Sequence, residues 1–210
     1  MANIFAHRVL DEWVEKMIQP YCRGEVRLFR YADDGIICCR YASDAKRVRE
    51  GLRKRLEKYN LKLNEEKTRM VSFSKAQLDR GVKQGVFDFL GFTFYLGRSK
   101  SGKVIPKLKT SGKTIRNKLK RVGEWMKANR SKMKTSKLWK GFCVKLRGHV
   151  QYYGVSFNDK AVHSFLHGAT RICFKWLNRR SQKKSLTWEK FSRFLDANPL
   201  PLNKVYHPLF

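Results

Sequence analysis

The chain has 210 residues, 42% of them hydrophobic, which is enough to bury one or two small cores and too apolar for a disordered segment. Its 47 Lys+Arg against 17 Asp+Glu give a formal charge of +30, so the expected partner is a polyanion, nucleic acid ahead of an anionic lipid surface or a merely solvated basic face. No apolar run reaches the ~18–20 residues of a membrane span, and Cys22, Cys38, Cys39, Cys143 and Cys173 form neither a CxxC pair nor a zinc spacing.

With no segment resembling a signal or transit peptide, the expectation is a soluble, cytoplasmic protein of bacterial type, away from membranes. The charge is uneven. Residues 98–210 carry 28 basic and 4 acidic side chains, a net of +24, and residues 1–97 a net of only +6.

In chain order, Phe5, Val9, Trp13 and Met17 recur at fourfold spacing and predict an amphipathic helix over residues 4–18. It begins almost at Met1, which suggests a chain that once continued upstream. Two apolar runs, 26–31 and 36–41, flank Asp33-Asp34-Gly35 and predict a β-hairpin with two carboxylates at its tip. A helix over residues 43–59 follows, with Ser43 available as its cap, then short strands at 70–73 and 86–94. After Gly97 the sequence turns Lys-rich and Gly/Ser-punctuated. Three helical patterns follow: Ile115 to Met126, Leu138 to Tyr153 and Val162 to Trp176. They predict a small bundle with a basic exterior.

Adjacent carboxylates on a tight turn repel unless a cation sits beside them, and a divalent metal is the usual remedy. Nucleotidyl transfer uses metals about 4 Å apart to activate the attacking hydroxyl and to stabilise the leaving oxygen, so Asp33 and Asp34 suit that chemistry. An ordinary solvated Asp-Asp-Gly turn is the plainer alternative.

Phe29-Arg30-Tyr31-Ala32-Asp33-Asp34-Gly35 resembles the catalytic hairpin of reverse transcriptases in its group II intron form. Leu61 to Thr68 resembles the next block of that family, and Phe89-Leu90-Gly91-Phe92 its primer grip. Further on, Leu146-Arg147-Gly148-His149-Val150-Gln151-Tyr152-Tyr153 is similar to the maturase-domain signature, with His149 where the family commonly has tryptophan. Lys175 to Arg180 and Trp188 fit the downstream part.

The resemblance implies an α+β fold: a partial reverse-transcriptase palm over residues 1–97, thumb-like basic helices over 98–135 and a helical maturase domain over 136–210. It implies Asp33 and Asp34 as ligands of Mg2+, effective only in a complete palm, with Lys67 toward the departing pyrophosphate, although a surface lysine at a helix-to-strand turn suits Lys67 equally well. Tyr31, Ala32, Leu90, Gly91 and Phe92 would line the path of primer and nucleotide. Arg147, Tyr152, Tyr153, Lys175, Trp176, Arg179 and Arg180 would contact RNA, although Tyr152 and Trp176 suit a core equally well.

The implied partners are group II intron RNA, an RNA template with a DNA primer if the palm is complemented, and a polypeptide supplying fingers and upstream palm. That upstream part would bring a further metal-binding aspartate. An RNA-directed DNA polymerase fragment inactive alone, a non-catalytic splicing factor and a functionless remnant all remain open. His163 and His167 have a zinc-compatible i, i+4 spacing but no evident third ligand.

Overall fold

The computed structural model describes residues 2–180 and 186–209. The chain divides into two compact units, Met1–Ser74 and Lys75–Phe210.

The first unit opens with α1 (Ala2–Ala6), continues through two π-helical turns, His7–Asp11 and Val14–Ile18, and ends in a 3-10 turn, Gln19–Tyr21. A π turn brings residues five apart onto one side. Val9 and Val14 are accordingly both buried with Trp13, while Phe5 and Met17, expected on the same face, are exposed. Arg55 donates to the carbonyls of Val9 and Arg8 within this widened stretch.

Strands β1 (Val26–Tyr31) and β2 (Asp34–Cys39) then pair antiparallel from Val26↔Cys39 to Tyr31↔Asp34. Their inner face, Val26, Leu28, Ile37 and Cys39, packs on Trp13, Val14 and Ile18 and on Leu52 of α2 (Ala42–Lys58). Ser43 does not cap α2. Tyr41 holds the cap position without a side-chain bond, and the buried Asp44 in the first turn accepts from the Gly24 N–H instead. Residues 70–73 form no strand.

In the second unit, α3 (Lys75–Asp79) precedes a three-stranded antiparallel sheet in the order β3 (Phe87–Phe89), β4 (Phe92–Arg98), β5 (Val104–Thr110). The single strand expected over 86–94 is therefore two strands and a turn. Leu90 and Gly91 both have positive φ, +50° and +81°, as a two-residue type I′ hairpin requires, and the turn carries Phe92 back opposite Phe89. The compositional boundary after Gly97 falls inside β4.

Helices α4 (Gly112–Asn129), α5 (Thr135–Tyr153), α6 (Asp159–Asn178) and α7 (Trp188–Ala197) complete the unit. Met126, Phe142, Leu146, Val162, Phe165, Ala169 and Phe191 form its core. Ser111 caps α4 and Thr187 caps α7 by accepting from backbone N–H groups three residues on.

One buried side chain ties sheet to bundle. Asn158 accepts from the Thr110 N–H (2.6 Å) and donates to the Thr110 hydroxyl (2.8 Å) and the Tyr153 carbonyl (2.7 Å). It thereby joins the ends of β5 and α5 to the start of α6.

Candidate active-site hairpin and nucleic-acid interface

Because Tyr31 pairs with Asp34, the connection between β1 and β2 has only two residues, Ala32 and Asp33. This places the turn one residue earlier than Asp33-Asp34-Gly35: Asp34 opens β2, and Gly35 pairs with Arg30 inside the ladder. Ala32 has φ +54°, a left-handed conformation that glycine adopts freely and alanine does not.

Arg30 stabilises that turn from below. It donates through Nη1 to the Ala32 carbonyl at 3.0 Å and grips Asp11 with two 2.7 Å bonds from Nε and Nη2. The Arg30 guanidinium, together with His7, holds the Asp11 carboxyl below the usual carboxylate range. The hairpin tip is thus bolted to the N-terminal helical segment by a pair 19 residues apart, which no local sequence pattern reveals.

By the pairing register, Asp34 shares the outer face with Tyr31, Phe29 and Ile36. Tyr31 and Phe29 are more than half exposed there, and Asp33 and Asp34 are exposed. Neither carboxylate has a hydrogen-bonding or ion-pair partner among the described residues, and no group of three His, Cys, Asp or Glu suited to a metal forms among them. This donor set fits Mg2+, which is commonly held by one or two carboxylates with water and substrate phosphates filling the other positions.

Lys67 is exposed, in a turn where its backbone N–H donates to the Asn64 side chain. No contact among the described residues joins it to the two aspartates.

Leu90, Gly91 and Phe92 belong to the second unit and lie against the end of α5. The Tyr152 hydroxyl donates to the Leu90 carbonyl (3.2 Å), Phe92 stacks on Tyr152 and also meets Tyr153, and a Cβ on Gly91 would stand 2.6 Å from the Tyr153 hydroxyl. Tyr153 is 4% exposed, so its ring is spent inside the unit and offers no face for a base; Tyr152 keeps half its surface open.

His149 is 3% exposed and stacks on Phe165 with ring centroids 3.6 Å apart. Burial, with a smaller effect from Lys118, pushes its pKa down to about 3, so the ring is neutral at pH 7. Neither ring nitrogen has a partner among the described residues. The imidazole fills an aromatic slot.

The second unit has 31 Lys+Arg and 6 Asp+Glu, a net of +25, against +5 for the first. Its cations gather on aromatic rings. Arg130, Lys175 and Arg179 all lie over the Trp176 indole, at 4.8, 5.6 and 5.5 Å from the centroid. None of the three has an ion-pair partner among the described residues, so like charges converge there without compensation.

Arg130 lies 46 residues from Trp176, so no local sequence pattern links the two. Arg180 is exposed just past α6, and Arg147 is exposed on α5 with no contact to the Trp176 group among the described residues. His163 and His167 are exposed on α6 with no third ligand beside them among the described residues.

Residues 1–94 match the reverse transcriptase (RNA-dependent DNA polymerase) family model. The reverse transcriptase match takes in the whole first unit together with the Leu90-Gly91 turn, and so covers both the hairpin and the primer-grip-like block. No curated protein matches the chain. Among the described residues, no helix is long and apolar enough to cross a membrane.

Proposed function

We propose that the chain is the palm-end, thumb and maturase portion of a group II intron-type reverse transcriptase, acting on intron RNA in splicing and mobility. The observation that carries this reading is the two-residue turn at Ala32-Asp33. It leaves Asp33 exposed in the turn and Asp34 on the face that also exposes Tyr31, neither with a partner among the described residues.

In this reading Asp33 and Asp34 hold Mg2+, which when bound supplies charge neutralisation at the phosphates of the incoming nucleotide. Tyr31 offers an apolar wall beside it. Arg30 and Asp11 keep the tip at a fixed height. Lys67 is a cation available to pyrophosphate.

The second unit binds RNA through its unpaired cations. Trp176 with Arg130, Lys175 and Arg179 is a seat where phosphate oxygens would relieve the crowding of like charges and a base can meet an aromatic or guanidinium plane. The compartment that suits intron RNA and five free thiols is the cytoplasm.

A second reading, an RNA-binding splicing factor without polymerase activity, is favoured by the charge distribution, a net of +25 in the second unit against +5 in the unit that holds the hairpin. Two measurements separate the readings. Binding of a group II intron RNA should weaken with a log–log salt slope of roughly 0.7–0.9 per phosphate contact, and Arg179→Ala with Arg180→Ala should cost about 1–3 kcal/mol. The chain alone should not extend a primer on an RNA template with Mg2+. Extension that appears when a polypeptide with fingers and upstream palm is added, and that Asp33→Ala abolishes, supports the polymerase portion. RNA binding without extension even when so complemented, unaltered by Asp33→Ala, supports the splicing factor. A flat salt dependence sinks both.

A further inference from the structure

A second feature joins α6 to the start of α7 and shares Lys175 with the Trp176 cluster. His167, Arg171 and Lys175 follow one another at i, i+4 and i+8 along one helix face, and Arg171 and Lys175 bring two cations to it. They border an open cavity of about 580 Å³ whose other described lining is Ile172, Phe174 and Trp188. That volume is in the range of small-ligand sites.

Trp188 opens α7 and remains 49% exposed although its ring is held from two sides. Phe174 meets it edge-on at 4.8 Å, and Phe191 tilts against it at 5.6 Å. An exposed indole fixed in this way loses little further side-chain freedom when a flat ligand stacks on it. No carboxylate is among the described lining residues, and Glu189, next in sequence, is engaged by Arg193. Cations at the edge and an aromatic floor suit a planar base attached to a phosphate.

We infer that this cavity receives a single unpaired nucleotide of the bound RNA, its base stacked on Trp188 and its phosphate beside Arg171 and Lys175. The inference rests on the RNA-binding reading of the second unit and deepens it. The Trp176 cluster and the basic surface would hold the phosphates of the flanking RNA, whereas the Trp188 cavity would recognise a bulged or flipped base.

The test compares two RNA duplexes of sixteen base pairs, identical except that one carries a single bulged uridine, titrated against the full chain. The bulged duplex should bind about fivefold or more tighter, the lower bound for one stacked base. Trp188→Ala should remove that preference while leaving the plain duplex within about twofold, and Trp188→Phe should keep most of it. A 4-thiouridine at the bulge should crosslink to the peptide carrying Trp188 in the unsubstituted protein, a result independent of how well any variant folds. Equal affinity for both duplexes, or crosslinks confined to other peptides, overturns the cavity assignment while the RNA-binding reading stands. Preference for an acidic peptide over both duplexes, or failure to bind either duplex, overturns both.

Discussion

Replacing His149 by phenylalanine isolates the energetic role of a single ring. In the unfolded chain this imidazole titrates near its ordinary value of about 6.5, and in the folded protein burial brings it to about 3. The folded pKa is depressed, so the unfolded state binds more protons between those values. The stability that His149 contributes as a neutral ring is therefore complete above pH 6.5 and drains away as the pH falls.

At about 1.36 kcal/mol per pH unit, acidification from pH 7 to 5 should cost the parent about 2 kcal/mol through this residue alone. Phenylalanine keeps the stack on Phe165 and removes the titration. It also removes two buried ring nitrogens that lack partners among the described residues. Urea unfolding followed by far-ultraviolet circular dichroism at pH 7 and pH 5 measures the difference. The variant should be at least as stable as the parent at pH 7 and should lose about 2 kcal/mol less on acidification. Parallel losses in parent and variant would show that His149 is hydrated or partnered, and would refute its role as an aromatic filler.

Three further substitutions probe the scaffold. Asn158→Ala strands the buried Thr110 N–H and Tyr153 carbonyl and should cost about 2–4 kcal/mol in chemical denaturation, whereas a cost under 0.5 kcal/mol would deny the residue its linking role. Asp11→Asn breaks a two-bond grip on Arg30, so amide exchange across β1 and β2 should accelerate and stability should fall by about 1–3 kcal/mol at neutral pH. Asp11 has a lowered folded pKa, so its contribution holds above the ordinary carboxylate range and is lost as the pH falls through the folded value. The gap between parent and variant should close in acid. Ala32→Gly relieves a left-handed φ costing about 1–2 kcal/mol against a glycine entropy loss of about 0.5–1 kcal/mol, so thermal unfolding should show a gain of up to about 1.5 kcal/mol.

Local periodicity reveals much of this fold. The β1–β2 hairpin, α2 and the three long helices of the second unit follow from patterns within a dozen residues, where hydrophobic spacing is decisive. What escapes it depends on partners far away. Asp33-Asp34-Gly35 looks like the turn, but pairing of Tyr31 with Asp34 and the reach of Arg30 to Ala32 and Asp11 move its start one residue back, to Ala32.

Strand β5 alternates buried Leu108 and Thr110 with exposed Lys109, a twofold signal hidden by lysine-rich surroundings. The type I′ turn at Leu90-Gly91 divides a run of phenylalanines that reads as one strand. At the site, the carboxylate tip is legible because its chemistry and its turn coincide. The clustering of Arg130 on Trp176, and of Trp188 with Arg171, is a product of helix packing that no spacing announces.

The glycine of the Leu90-Gly91 turn and the second tyrosine of the α5 signature stand so close that a methyl group on one would meet the hydroxyl of the other. Natural variation at the two positions is consequently coupled. A lineage can enlarge residue 91 only after Tyr153 has given up its hydroxyl, and even then the positive φ penalises the change. Among descendants of this sequence, blocks separated by sixty residues should be inherited as one character, and recombination between them should yield chains that fold poorly even when each half comes from a sound parent.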